Sequence, residues 1–186
     1  MPNPSVLPNS AELIRQYLKE TIGAEETLEE QLRSFASEGD DEDVQLAFAE
    51  HADETRVHRE RLRERLSSVG GGDLAEAGVL APVLDLRPKF ARAGNTLEER
   101  LVQNLFTAFT AEKSECAMYE VLATVAHAAG DSATEVVARE IEAENQRAAE
   151  KFFHFLPTRS KIAFNILTAE EIDPAIVTKV ADNRLI

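Results

Sequence analysis

Apolar residues recur along this chain at the seven-residue spacing of packed helices, and each line is interrupted by a glutamate or a histidine. Glu25 stands midway between Leu18 and Leu32, Glu112 between Leu105 and Tyr119, and Glu115 between Ala108 and Leu122. Glu144 follows Val137 by one heptad, and His51 and His58 continue the line from Val44 with Glu54 between them. Residues on such lines face the interior of a helical bundle. Carboxylates are seldom buried there unless they are paired or hold a metal. The pattern therefore demands long helices packed together, and a cation or an opposing set of charges inside them.

Composition narrows the class. A chain of 186 residues is one ordinary domain, long enough to bury a core. Ala, Leu, Glu and Arg dominate, Trp is absent and Gly is limited to eight, which favours helix throughout. A formal net charge of −14 argues against nucleic acid or an anionic membrane surface as a partner. The single Cys116 excludes an internal disulfide and fits a reducing compartment; beside Glu115 in an apolar stretch it reads as a buried structural thiol. The segment 1–10 has neither a basic region nor an apolar core of the kind a secretion signal needs, and no apolar run approaches the length of a membrane span. The expectation is a cytoplasmic protein.

Capping and breaking residues divide the chain. Pro2, Pro4 and Pro8 keep residues 1–9 extended or disordered, and Ser10 is placed to cap a first helix running to about Ser37. Glu38-Gly39-Asp40-Asp41 is a stop followed by a cap, and a second helix spans roughly Glu42 to Ser68 before three glycines. Residues 69–95, with Gly78, Pro82, Pro88 and Gly94, form a crossover holding at most short helices near 73–78 and 88–93. The box Thr96-Leu97-Glu98-Glu99 opens a third helix that ends at Gly130. Ser132-Ala133-Thr134-Glu135 opens a fourth, expected to end before Pro157. Residues 157–186 then form an extension of short helices, apolar enough to pack on the bundle or on a neighbouring subunit. Two short connections and one long crossover between four helices give the all-α, ferritin-like arrangement of a four-helix bundle.

Placed on these helices, the ligand-type residues gather near mid-height. A glutamate on a heptad line, taken singly, can be a boundary residue, because helix phase drifts by about 20° per heptad. Glu25, Glu54, Glu144 and one of Glu112 or Glu115 together supply four negative charges, which balance two divalent ions. Without metal, crowded carboxylates repel and lose hydration, and some must take up protons. His51 and His58 lie on one face with Glu54, and His58, one turn after Glu54, is slightly the better donor by spacing. A lone inward histidine is more often a satisfied core residue, so either one can be that instead. His127 and His154 read as surface or capping residues, and Tyr17 and Tyr119 as core aromatics, Tyr119 within reach of a hydrogen bond to Glu115. Arg147 faces the same side as Glu144 and is placed to pair with a surplus carboxylate.

At these residues the chain resembles the YciE/YciF-like branch of ferritin-like proteins, a family associated with stress responses. The matching stretches are Ala24-Glu25, His51-Ala52-Asp53-Glu54-Thr55, Glu112 and Glu115 with Tyr119, and Glu142-Ala143-Glu144, with Leu122-Ala123-Thr124-Val125-Ala126 leading to Gly130. The likeness covers about residues 12–156. It implies a bundle, usually dimeric, with a dinuclear iron or manganese site. The wider ferritin-like pattern sets a histidine three residues after a glutamate on helices 2 and 4; here Val57 and Arg147 occupy those places. A nitrogen-poor or asymmetric site is implied.

The expectation is then two iron or manganese ions per chain, reacting with peroxide or dioxygen in a protective or metal-handling role. Glu25, Glu54, His58, Glu115 and Glu144 are the expected ligands, with Glu112 bridging and His51 as the alternative nitrogen donor. Oxygen-rich ligation favours iron or manganese over copper. A homodimer is expected, the extension and crossover obstructing ferritin-type shell packing. The rival reading is a non-catalytic helical stress or scaffold protein whose inner carboxylates are neutralised by the histidines and Arg147.

Overall fold

Four helices follow from the heptad lines and their caps. The computed structural model describes residues 8–72 and 96–171, and within them α1 spans Pro8–Ser37, α2 Glu42–Ser68, α3 Leu97–Ala128 and α4 Ser132–Glu171. The Asp41 carboxylate accepts the Val44 N–H at 3.0 Å to start α2. Thr96 and Glu99 form the expected reciprocal capping box of α3. Gly130, with φ of 73°, turns the chain at the end of α3 in a conformation that disfavours any residue with a Cβ. The cap of α4 is Asp131 rather than Ser132: its carboxylate accepts the Thr134 N–H at 3.1 Å. Among the described residues no helix is long and apolar enough to cross a membrane.

Cross-helix contacts fix the topology. Asn104 near the start of α3 donates to Glu38 at the end of α1, and Arg65 near the end of α2 binds Asp131 at the start of α4. Lys151 of α4 meets Glu50 of α2. Hence α1 and α2 are antiparallel, as are α3 and α4, while α2 and α3 run the same way. The end of α2 and the start of α3 lie at opposite ends of the bundle, roughly 40 Å apart for a helix of this length. This is the ferritin-like four-helix connectivity expected from one long and two short links. The short helices expected near 73–78 and 88–93 lie outside the described residues, as does the 172–186 part of the expected extension.

Helices α1 with α2, and α3 with α4, pack most closely; the seam between α2 and α4 is the most open. The core is divided in two along the axis. One apolar half gathers Leu32, Phe35, Phe48, Leu101, Leu105 and Phe152; the other gathers Ile14, Leu18, Ile22, Leu62, Leu122 and Ile141. Between them every helix contributes a polar residue.

Two boundaries differ from expectation. Helix α1 already includes Pro8 and Asn9, since a proline in the first turn loses no helical hydrogen bond, and Ser10 lies inside the helix rather than capping it. Helix α4 runs straight through Pro157 to Glu171 instead of stopping before it. Pro157 removes only the bond to the Phe153 carbonyl, and both residues lie on the exposed face, where water can take that carbonyl. The turns beyond are held to the bundle by the Arg159–Asp41 ion pair and by buried Ala163.

Candidate metal centre

The polar layer is built from Glu25 of α1, His51, Thr55 and His58 of α2, Glu112, Glu115 and Tyr119 of α3, and Asn145 of α4. Glu25, Glu112, Glu115 and Asn145 are all 0 % exposed. On α2 the inward positions fall at 51, 55, 58 and 62, the i, i+4, i+7 rhythm of one helix face. On α3, Glu112 and Glu115 occupy that face between Leu105, Ala108 and Leu122. Five of the seven expected ligands therefore meet in the core: Glu25, His51, His58, Glu112 and Glu115.

The other two do not enter it. Glu54 is 62 % exposed at its side chain and Glu144 is 33 % exposed. At about 100° per residue, position 54 is turned about 60° from the line of His51, and Glu144 is turned likewise from Ile141. Both stand on the rim of the α2–α4 seam. Val137, one heptad before Glu144, is itself only partly buried, whereas Ala138 is fully buried. The true core line of α4 passes through Ala138 and Asn145, so Asn145 takes the inward place expected of Glu144. The signal for this was in the sequence, in Ala138, Ile141, Ala148 and Phe152, whose common face includes 145 and excludes 144.

Each histidine contacts a rim carboxylate and faces a buried one. His51 contacts Glu54 through Nδ1 at 2.9 Å and Glu112 through Nε2 at 2.7 Å. His58 places Nε2 2.7 Å from Glu144, and its Nδ1 lies 3.6 Å from Oε2 of Glu25, too far for a hydrogen bond. The two rings lie edge to face with centroids 6.4 Å apart. Tyr119 donates to Oε1 of Glu25 rather than to Glu115, whose Oε2 accepts from Asn145 Nδ2 at 3.0 Å. Arg61, an unexpected participant, donates to Glu144 at 2.9 Å and to Glu140 at 2.6 Å. Arg147 is exposed on the rim and forms no ion pair among the described residues, so the pairing expected of it falls to Arg61. His127 and His154 are exposed, as expected of surface residues.

The electrostatics of the layer are unbalanced. Burial opposes the charge on His51, but the Glu112 carboxylate and then Glu54 outweigh it, pushing the imidazole up to about 10. With a carboxylate at each nitrogen it is a doubly donating imidazolium. Glu54 is drawn below the usual carboxylate range by its bond from His51. Burial raises Glu112, against the pull of His51. Glu115 is raised well above the ordinary range by burial, then by Glu25 and Glu112, with only Asn145 acting against this. Burial, followed by the nearby Glu25 charge, lifts Tyr119 well above a normal phenol and keeps it a neutral donor. Cys116 is half-buried, its thiol also raised by burial, which suits the structural role expected of it.

Of the nine buried side-chain polar atoms left without a hydrogen-bond partner among the described residues, six belong to this layer: Glu25 Oε2, Thr55 Oγ1, His58 Nδ1, Glu112 Oε2, Glu115 Oε1 and Asn145 Oδ1. Such atoms are costly to leave unpaired, at about 1–3 kcal/mol each and more when charged. Four are glutamate or asparagine oxygens and one is an imidazole nitrogen, the donor chemistry of hard divalent cations. Among the described residues no three His, Cys, Asp or Glu side chains are already drawn around a common point.

Known folds bear out the architecture. The E. coli stress protein YciF superposes with a TM-score of 0.72 at 21 % identity, the match covering 83 % of this chain and 99 % of that one. A protein of Xanthomonas campestris pv. campestris gives a TM-score of 0.68 at 16 % identity, covering 88 % of this chain and 99 % of that one. Dps from Staphylococcus aureus gives 0.62 at 18 % identity, covering 78 % of this chain and 95 % of that one. These likenesses concern the fold, and they agree with the YciE/YciF-like resemblance of the sequence. No curated protein matches the sequence. The family model described as a domain of unknown function (DUF892) matches residues 10–163, and the chain belongs to that family.

Proposed function

We propose that the polar layer binds a pair of divalent cations, iron or manganese, and that the protein acts in stress protection or metal handling. The observation that carries this reading is the set of buried oxygens and one imidazole nitrogen left without partners in a single layer contributed by all four helices. A cation offers those lone pairs what the fold does not. Glu25, Glu112 and Glu115 are the interior anions, and Glu144, on the rim beside His58, supplies the fourth charge. His58 Nδ1 faces Glu25 Oε2 across a gap that neither atom fills with a hydrogen bond. Asn145 and Tyr119 each hold one oxygen of a glutamate and leave the other free, which orients the carboxylates. His51 and Glu54 are the reserve donors, engaged with each other and with Glu112. Iron or manganese, if bound there, would supply electrons to peroxide or dioxygen. Resemblance to a stress protein in fold, and to its family in sequence, supports the physiological direction.

The test is metal content and its consequence. Purified protein loaded anaerobically with Fe²⁺ or Mn²⁺ and desalted is expected to retain about two equivalents per chain. Glu25→Gln combined with Glu115→Gln is expected to retain less than half of that. A wild-type protein that retains no ion, and melts at the same temperature with metal as with chelator, sinks the reading.

A second reading keeps the layer metal-free. The Glu54–His51–Glu112 bridge, together with the contact of His58 to Glu144, favours it. On that reading the histidines neutralise the core, and chelation changes nothing.

A further inference from the structure

Among the described residues, two cavities between α2 and α4 lie against side chains that touch the interior carboxylates. A cavity of about 460 Å³ opens between α2 and α4, lined by Glu54, His58, Arg61, Glu144 and Arg147 among others. A smaller one of about 120 Å³ adjoins it, with His51, Phe152 and the same Glu54, Glu144 and Arg147 in its walls. His58 is 2 % exposed overall, yet it forms part of the wall of the larger cavity and turns its unpartnered Nδ1 toward Glu25. The seam thus leads from solvent, past the rim carboxylates Glu54 and Glu144, to a histidine that touches the interior.

Arg61 stands across this path. Arg61 binds Glu144 with one guanidinium nitrogen and Glu140 with the other, and it lines the larger cavity. The other basic groups at the mouth are differently placed. Arg56 is paired with Glu60, and Lys151 with Glu50, while Arg147 stands in solvent. Among the described residues, Arg61 alone is fixed against a carboxylate that also touches a layer histidine. A divalent cation arriving along the seam meets a like charge held within the same few ångströms, and it must displace that charge from Glu144.

From this geometry we infer that the α2–α4 seam is the route by which divalent cations reach the layer, and that Arg61 is a positioning residue that latches Glu144 and slows their passage. The inference rests on the metal-binding reading above. It concerns the rate of loading, not the number of ions held.

Stopped-flow uptake of Co²⁺ by metal-free protein, followed by competition with a chromophoric chelator, tests it. Arg61→Gln is expected to load about tenfold faster than wild type at low ionic strength, with the difference shrinking as salt rises. Arg61→Lys keeps the charge and is expected to stay near the wild-type rate. Arg59→Gln removes the same charge on the α1–α2 seam, where Arg59 pairs with Glu26 and Glu29, and is expected to leave the rate nearly unchanged. Circular dichroism of each variant confirms the fold. A wild type that loads, with Arg61→Gln loading at the same rate, overturns the latch and leaves the metal reading intact. Equal acceleration in Arg59→Gln overturns it too, because overall charge then accounts for the effect. A wild type that takes up no Co²⁺ overturns both.

Discussion

The middle of this bundle and its two ends obey different rules. The ends are closed by apolar packing: Phe48 lies between Phe35 and Phe152 with ring centroids 5.5 and 5.3 Å away, and none of their ring atoms asks for a partner. The middle is equally buried, yet Glu25, Glu112 and Glu115 stand in it with unpartnered oxygens. The ends explain why the chain folds as it does, and the middle is where folding energy has been given up for something else. Buried ionic groups that weaken a core are where a functional site is to be sought.

The largest contrast comes from truncating each region. Phe48→Ala is expected to cost about 3–5 kcal/mol, through lost burial and the cavity left behind. Glu115→Gln, in metal-free protein, is expected to cost nothing and to stabilise, since it removes a carboxylate that burial and two neighbouring carboxylates oppose. Urea unfolding of both variants checks the pair, and a destabilisation of Glu115→Gln by several kcal/mol would mean that its charge already has a partner.

Metal is expected to reverse that order. At a free ion concentration about a hundred times the dissociation constant, binding stabilises the wild type by about 2.7 kcal/mol. Glu115→Gln is expected to lose most of this gain. Thermal melts with Mn²⁺ and with chelator measure it.

The pH response separates the layer from the ends again. His51 is raised in the folded protein to about 10, from an ordinary value of 6.5. The native state therefore holds more protons than the unfolded state between those values, so its contribution is full below 6.5 and is lost as pH rises through 10. Glu115, also raised, acts with the same sign from its ordinary value upward. Metal-free protein is thus expected to lose stability steadily from pH 6.5 to 10, with a shallower slope in His51→Gln. Unfolding by urea across that range tests the sign; a rising slope contradicts it. The smallest effect is expected of Arg147→Ala, within about 0.5 kcal/mol, because Arg147 is exposed and outside the ion pairs of the layer. A larger loss by the same measurement would restore it to the network that the sequence suggested.

The sequence made the bundle and most of its middle legible for one physical reason: a heptad line is a good guide to burial wherever two flanking members are apolar. Glu25, Glu112 and Glu115 each sit between two such members, and all are buried. Glu144 had a flank on one side only, Val137, and that line lay one residue away from the buried one through Ala138 and Asn145. Glu54 was read from its company with two histidines rather than from a line of its own. Pro157 misled because proline signals a helix end through its missing N–H, and that signal carries little weight where the orphaned carbonyl faces water. Which histidine nitrogen meets which carboxylate was beyond reach, since that depends on how α1, α3 and α4 are rotated against α2.

The central claim is that the unpartnered atoms of the middle layer are metal ligands. A crystal of protein loaded with Mn²⁺ or Fe²⁺, measured at wavelengths on either side of the metal absorption edge, tests it most directly. A pair of anomalous peaks enclosed by Glu25, Glu112, Glu115 and His58 is expected. Featureless anomalous density there in fully soaked crystals, with His51 and His58 still clasping their carboxylates, contradicts it.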